Sequence, residues 1–193
     1  VSVPAPGATP RVQLTVGTPE DMARLGALLA AQLRAGDLVT LNGELGAGKT
    51  TLTRGLGEAL GVRGAVTSPT FVLARTHPRE GAADGVGVGA GNGTSDGAPL
   101  VHVDAYRLST AAELDDLDID FAGSIVVVEW GAGLLDGITD TWLSLDIVRP
   151  TGARVQGADD LLNPDDLVEP REITVTGHGD RWKDLGWVGA FSN

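Results

Sequence analysis

Residues 43–51 read GELGAGKTT, and Gly43, Gly48, Lys49 and Thr50 satisfy the spacing G-x-x-x-x-G-K-[ST]. Glycines at those places let the backbone turn until successive N–H groups face one point. The helix that follows directs its positive N-terminal end at the same anion. Gly43, Glu44, Leu45, Gly46, Ala47 and Gly48 therefore read as a nucleotide phosphate cradle, with Lys49 reaching the outer phosphates and the Thr50 hydroxyl available to magnesium. Lysine is scarce in this chain, Lys49 and Lys183 standing against twelve arginines. One of the two occupies the place where a compact ammonium, rather than a planar fork, suits a phosphate. The competing account is a glycine-rich turn ahead of an ordinary helix.

Two carboxylates stand at the ends of short apolar runs: Asp104 closes LVHVD (100–104), and Glu129 closes SIVVVE (124–129) with Trp130 next. In open α/β sheets ligands lie outside the carboxyl ends of the strands. The residues after LVTLN (38–42), LVHVD and SIVVVE should then converge on the cradle, provided those strands are neighbours. One acid would hold hydrated magnesium beside the phosphates, and the other would orient or deprotonate an attacking water. The alternative for each is a solvated strand end. Ser68 and Thr70, in TSPTF (67–71), either sense a terminal phosphate or its magnesium, as switch loops do, or form a hydrogen-bonded turn. The chain has no Asn-Lys-x-Asp, the base-reading motif of common GTPases, which favours ATP.

The elements that must position these groups follow from periodicity and caps. LVTLN is a strand ahead of the loop, and 50–60 is a helix with Leu52, Leu56, Ala59 and Leu60 at helical spacing and Gly61 as its left-handed stop. RVQLTV (11–16) alternates as a strand does. Thr18 and Pro19 then open a helix whose apolar stripe is Met22, Leu25, Leu29 and Leu33, ending by Gly36. Residues 71–74 read as a strand after Pro69, which forbids helix there. Thr110 and Glu113 form a capping box for a short helix that turns Leu114 and Leu117 inward. WLSLDIV (142–148) and REITVT (171–176) read as tandem strands, an antiparallel addition to a mainly parallel sheet flanked by helices. The fold class is α/β, of the P-loop NTPase kind.

At 193 residues the chain fits one domain, 11–193, preceded by a loose arm over 1–10. A glycine-rich surface insertion covers 77–98; residues 81–97 hold seven glycines and no arginine. Such a segment cannot offset the entropy of ordering itself. Asp159, Asp160, Asp165, Asp166 and Glu169 read as a solvated loop rather than a metal site. The chain lacks cysteine, which excludes disulfides, thiol catalysis and Cys-ligated zinc. His77, His102 and His178 are too scattered to suggest a metal site and read as structural or exposed. A net charge of −12 opposes general attraction to nucleic acid or an anionic membrane. No apolar run approaches the roughly 18 residues of a membrane span, and VSVPAPGATPR lacks a signal-peptide core, so the expectation is a soluble cytoplasmic protein.

Taken in order, GELGAGKTT, TSPTF, HVDAYRL and VVVEWG give the chain from residue 18 to 131 a pattern that resembles the TsaE (YjeE) family of bacterial ATPases. The resemblance implies a P-loop ATPase that supports threonylcarbamoyladenosine synthesis at position 37 of tRNA. It would associate with the TsaB and TsaD proteins and reset their complex, without transferring the group itself, and would meet tRNA only through that complex. Carried over by motif, Lys49 and Thr50 serve phosphate and magnesium, and Thr51 helps hold ATP. Asp104 and Glu129 match the acids of the metal and hydrolysis site, Trp130 a functional aromatic beside the nucleotide, and Ser68 and Thr70 the switch-like segment. The helix start at 19–22 falls by the adenine. Gly131 departs from the proline that many members carry after the Glu-Trp pair. Two other classes remain open: a small-molecule kinase, disfavoured by the absence of arginine from the longest flexible segment, and a non-hydrolysing nucleotide-binding scaffold.

Overall fold

The computed structural model describes residues 9–69, 71–80, 97–135, 138–149 and 169–191. Thr70, nearly all of the expected N-terminal arm, most of the glycine-rich insertion and the four aspartates from 159 to 166 lie outside them. Strands β1 (Arg11–Val16), β2 (Leu38–Asn42), β3 (Ala74–His77), β4 (Leu100–Asp104), β5 (Ile125–Glu129), β6 (Trp142–Val148) and β7 (Arg171–His178) form one sheet in the order β1-β7-β6-β2-β5-β4-β3. The central strands β6, β2, β5 and β4 are mutually parallel. At the margins β7 runs antiparallel to β6 and to β1, and β3 runs antiparallel to β4.

Burial on both faces explains the sequence of the central strands. Every residue of β4 and β5 is buried, which is why LVHVD and IVVVE read as continuous runs instead of alternating ones. On one face Val39, Leu41, Leu100, Ile125 and Val127 join the core with helices α1 (Pro19–Ala30) and α2 (Lys49–Leu60). On the other, Leu38, Val101, Val103, Val126 and Val128 pack with Leu114 of α3 (Ala111–Asp115) and with Leu134 and Leu135. Each such side chain taken out of water contributes about 1.5–3 kcal/mol.

α1 and α2 pack on each other through glycine. A Cβ at Gly26 would collide with the Leu52 carbonyl, and one at Gly55 with the backbone of Ala23. Only hydrogen at those two places permits the approach that seats the N-terminus of α2 against the sheet. Thr18 caps α1 by accepting the Asp21 N–H at 3.0 Å, with Pro19 opening the helix. α2 ends at Gly61 with φ 68°, and the capping box of Thr110 and Glu113 is formed. Leu114 is fully buried and Leu117 packs at the edge of the same core.

Four details differ from the sequence reading. α1 stops at Ala30, short of Gly36, because the amides that would extend it are taken elsewhere: Arg34 N–H goes to the Asp37 carboxylate at 2.9 Å and Gly36 N–H to the Ser124 carbonyl at 2.9 Å. Leu33 is buried all the same. Residues 71–73 are not part of a strand; the Pro69 carbonyl accepts the N–H groups of Val72 and Leu73, both at 2.8 Å, and β3 begins only at Ala74. Ala59 is exposed, and the buried side of α2 is completed by Thr53, Gly55 and Gly57. β6 belongs to the parallel core through β2, so the antiparallel addition is β7 with β1 rather than the tandem pair.

Candidate functional site

The strand order brings the three expected chain ends together. β5 lies between β2 and β4, with Glu129 in register with Leu41 on one side and with Asp104 on the other. Both acids are 3% exposed. They share the α1/α2 face of the sheet with Leu41, Leu100 and Val127, as the alternation of side chains requires, and so point toward the start of α2.

The loop 43–48 brings that helix into position. Gly43 has φ 151° and leaves no room for a side chain, since a Cβ would strike the Ile147 carbonyl. Gly48 stands at the N-cap of α2 with φ 108°, and a Cβ there would come within 3.1 Å of the Met22 Cε. The start of α1 therefore lies against the start of α2. No side chain caps α2 and its first turn contains no acid, so its leading N–H groups and the positive end of its dipole are left to an anion. The loop's outer residues Glu44, Leu45 and Gly46 are exposed, whereas Ala47 is buried.

Lys49 is 5% exposed and donates to the carbonyls of Gly43 at 2.8 Å and Glu44 at 3.0 Å. Its ammonium also lies 3.8 Å from the centre of the Trp130 ring, a cation–π contact. Burial pushes its pKa below the ordinary lysine value, against an opposing upward pull from Glu129 and then Asp104. One residue on, the Thr50 hydroxyl donates to Glu129 Oε1 at 2.9 Å. That leaves the hydroxyl oxygen's lone pairs for a hard cation. Asp104 Oδ1 accepts the Tyr106 N–H at 3.3 Å. Thr51 is half-buried in the first turn of α2.

Two bulky residues hold strained backbone here. Trp130, with φ 63°, donates its N–H to the Leu41 carbonyl at 2.9 Å, and Leu73, with φ 65°, accepts the Asp104 N–H at 2.7 Å. A bulky side chain at positive φ costs about 1–3 kcal/mol and persists where its surroundings over-determine it. At Trp130 the consequence is visible: the turn carries the ring from the end of β5 back over Lys49. Ser68 lies exposed in the loop ahead of Pro69.

His102, an isolated histidine in the sequence, is completely buried and its Nε2 lies 2.9 Å from Glu129 Oε1. The signal was parity: His102 is two residues before Asp104 in a strand and so shares its face.

The arrangement combines helix amides, a buried ammonium, a hydroxyl and two carboxylates in one place, a donor set that suits a phosphate group with a divalent cation. A family model described as "Threonylcarbamoyl adenosine biosynthesis protein TsaE" matches residues 16–155. The chain belongs to the TsaE family. The tRNA threonylcarbamoyladenosine biosynthesis protein TsaE of Streptomyces coelicolor is 54% identical over 164 residues, covering 83% of this chain and 93% of that protein. The TsaE of Bacillus subtilis is 34% identical over 168 residues, covering 86% of each. A crystal structure of YdiB from the same species superposes with a TM-score of 0.61 at 27% identity over 96% of both chains. The mixed sheet with its parallel centre and flanking helices is accordingly that of a P-loop NTPase, and the TsaE family serves tRNA threonylcarbamoyladenosine biosynthesis. No helix among the described residues is long and apolar enough to cross a membrane.

Proposed function

We propose that this TsaE family member is a cytoplasmic ATPase that acts on a TsaB–TsaD complex during threonylcarbamoyladenosine formation on tRNA, without transferring the threonylcarbamoyl group itself. In this reading the N–H groups of 43–51 and of the first turn of α2 cradle the triphosphate of ATP, with Lys49 at the outer phosphates. Thr50, Asp104 and Glu129 hold magnesium, directly or through its waters. The ion supplies charge neutralisation on the phosphates when bound. Asp104 and Glu129 divide two tasks between them, keeping the hydrated ion in place and orienting the attacking water. Trp130 shields Lys49 from solvent, and the start of α1 around Met22 forms the adenine side.

The observation that carries the reading is the 2.9 Å bond from Thr50 to Glu129, next to a buried Lys49 whose helix has no side-chain cap. A glycine turn before an ordinary helix has no use for an acid brought from another strand to its second residue. Action on partners is supported by what surrounds the site. Leu45 and Phe71 are 92% and 91% exposed, Val72 is exposed ahead of β3, and Tyr106 and Trp130 are exposed just past the carboxyl ends of β4 and β5. Exposed apolar side chains in that number around one site suit a partner protein surface. A charge of −12 suits an approach to tRNA through partners rather than by direct grip.

Glu129→Gln tests the chemistry. Turnover of ATP should fall at least about 100-fold while nucleotide binding persists; unchanged turnover would remove Glu129 from hydrolysis. Nucleotide-dependent capture of TsaB and TsaD tests the pathway, and capture indifferent to nucleotide would count against a resetting role.

A further inference from the structure

We infer that His102 is a positioning residue for Glu129, fixing which carboxylate oxygen faces the phosphates and their cation; the inference rests on the hydrolytic role proposed for Glu129. Oε1 of Glu129 accepts twice, from Thr50 Oγ1 and from His102 Nε2, each at 2.9 Å. The two donors arrive from different elements, α2 and β4, and between them fix the carboxylate plane. With Oε1 engaged, Oε2 is the oxygen presented to a ligand. A carboxylate oxygen accepts hydrogen bonds, so this contact assigns the imidazole N–H to Nε2. His102 Nδ1 has no partner among the described residues, although it is fully buried. A ring that commits Nε2 to Glu129 from a neighbouring strand has the arrangement of a residue that orients an acid. On the face of β4 turned to α1 and α2, which carries Leu100, His102 and Asp104, a leucine at 102 would serve packing alone and offer no donor to Glu129.

The test uses the full chain and three variants. Glutamine can place an amide nitrogen where Nε2 stands, asparagine only where Nδ1 stands, and leucine supplies neither. His102→Leu and His102→Asn should lower kcat about 10- to 100-fold, the usual loss when a partner behind a ligand is removed. Magnesium-free affinity for a fluorescent ATP analogue should stay within about threefold, and His102→Gln should recover most of the rate. A packing role predicts instead that Asn and Gln behave alike and that any loss follows the unfolding temperature. A readout independent of turnover is the nitrogen NMR of the wild-type imidazole, expected to show the proton on Nε2 and to shift in Glu129→Gln. A proton on Nδ1, or equal rates for the Asn and Gln variants, would overturn the proposal. If Glu129→Gln abolishes turnover and His102→Leu does not alter it, only the role of His102 fails. If Glu129→Gln is fully active, the hydrolytic reading fails first and the role of His102 with it.

Discussion

The two faces of β4 and β5 are built from the same ten residues and do different work. Toward α3 the strands present Val101, Val103, Val126 and Val128, apolar from one end to the other. Toward α1 and α2 they begin equally apolar with Leu100, Ile125 and Val127, then turn polar at His102, Asp104 and Glu129 where α2 starts. The first face can be satisfied by burial alone. The second buries two carboxylates, an imidazole and an ammonium, which is costly unless each finds a partner. The α3 face serves packing alone, whereas the α1/α2 face carries the larger core and, at one end, the polar cluster beside α2. A substitution in the α3 face should therefore affect stability, and one in the polar cluster reactivity.

The largest expected separation is at Lys49. Lys49→Met should weaken ATP binding by more than about 100-fold, since removal of a phosphate-binding charge leaves a desolvated anion partly unpaired. Stability should hold or rise, because a buried ammonium gives way to an apolar chain of similar length that still packs beneath Trp130. Denaturant unfolding and nucleotide titration on the same sample measure both. A variant that bound ATP normally would break the contrast between the faces.

The opposite result is expected at Leu114, on the side away from the site. Leu114→Ala should destabilise the protein by about 2–4 kcal/mol, because a fully buried leucine in a closed core leaves a cavity when truncated. ATP affinity of the folded fraction should be unchanged. An affinity loss larger than about threefold would mean that the α3 face communicates with the loop and that the two faces are coupled.

Most of this division was legible in the chain because it is written in local patterns. The loop 43–51 has a fixed spacing, the runs ending in Asp104 and Glu129 are short and β-branched, and the rule for open sheets says at which end they meet. The order that puts β5 between β2 and β4 could only be assumed, and it is what brings Glu129 to Thr50. Three features escaped for physical reasons. Val72 and Leu73 stay out of the strand because one carbonyl, that of Pro69, captures both their amides. The early end of α1 depends on the local carboxylate of Asp37 and on the carbonyl of Ser124, which only folding brings to Gly36. His102 looked like an isolated histidine, and only the register of β4 against β5 shows that it shares an oxygen with Thr50. The glycines 26 and 55 gave a similar lesson. Each looks like a weak point in a helix, and each is where another backbone comes too close for a methyl group.

The smallest effect expected is electrostatic and belongs to the polar face alone. Burial lowers the pKa of Lys49, with Glu129 and Asp104 opposing it. The folded protein therefore sheds that proton at a lower pH than the unfolded chain does. Between the two values the unfolded state binds more protons, so the Lys49 contribution to stability rises with pH across that window. It is complete above the unfolded value and lost as pH falls through the folded one. Subtracting the unfolding free energy of Lys49→Met from that of the wild type, point by point from about pH 8 to about pH 11, isolates this slope, which should be positive. Saturating ATP should flatten it, because a bound triphosphate adds negative charge beside the ammonium and draws its pKa back upward. Leu114→Ala, compared in the same way, should give a difference that does not vary with pH. A flat Lys49 difference without nucleotide would mean that water reaches the ammonium in solution, and the contrast between a dry, apolar face and a partly desolvated, reactive one would then have to be redrawn around Trp130.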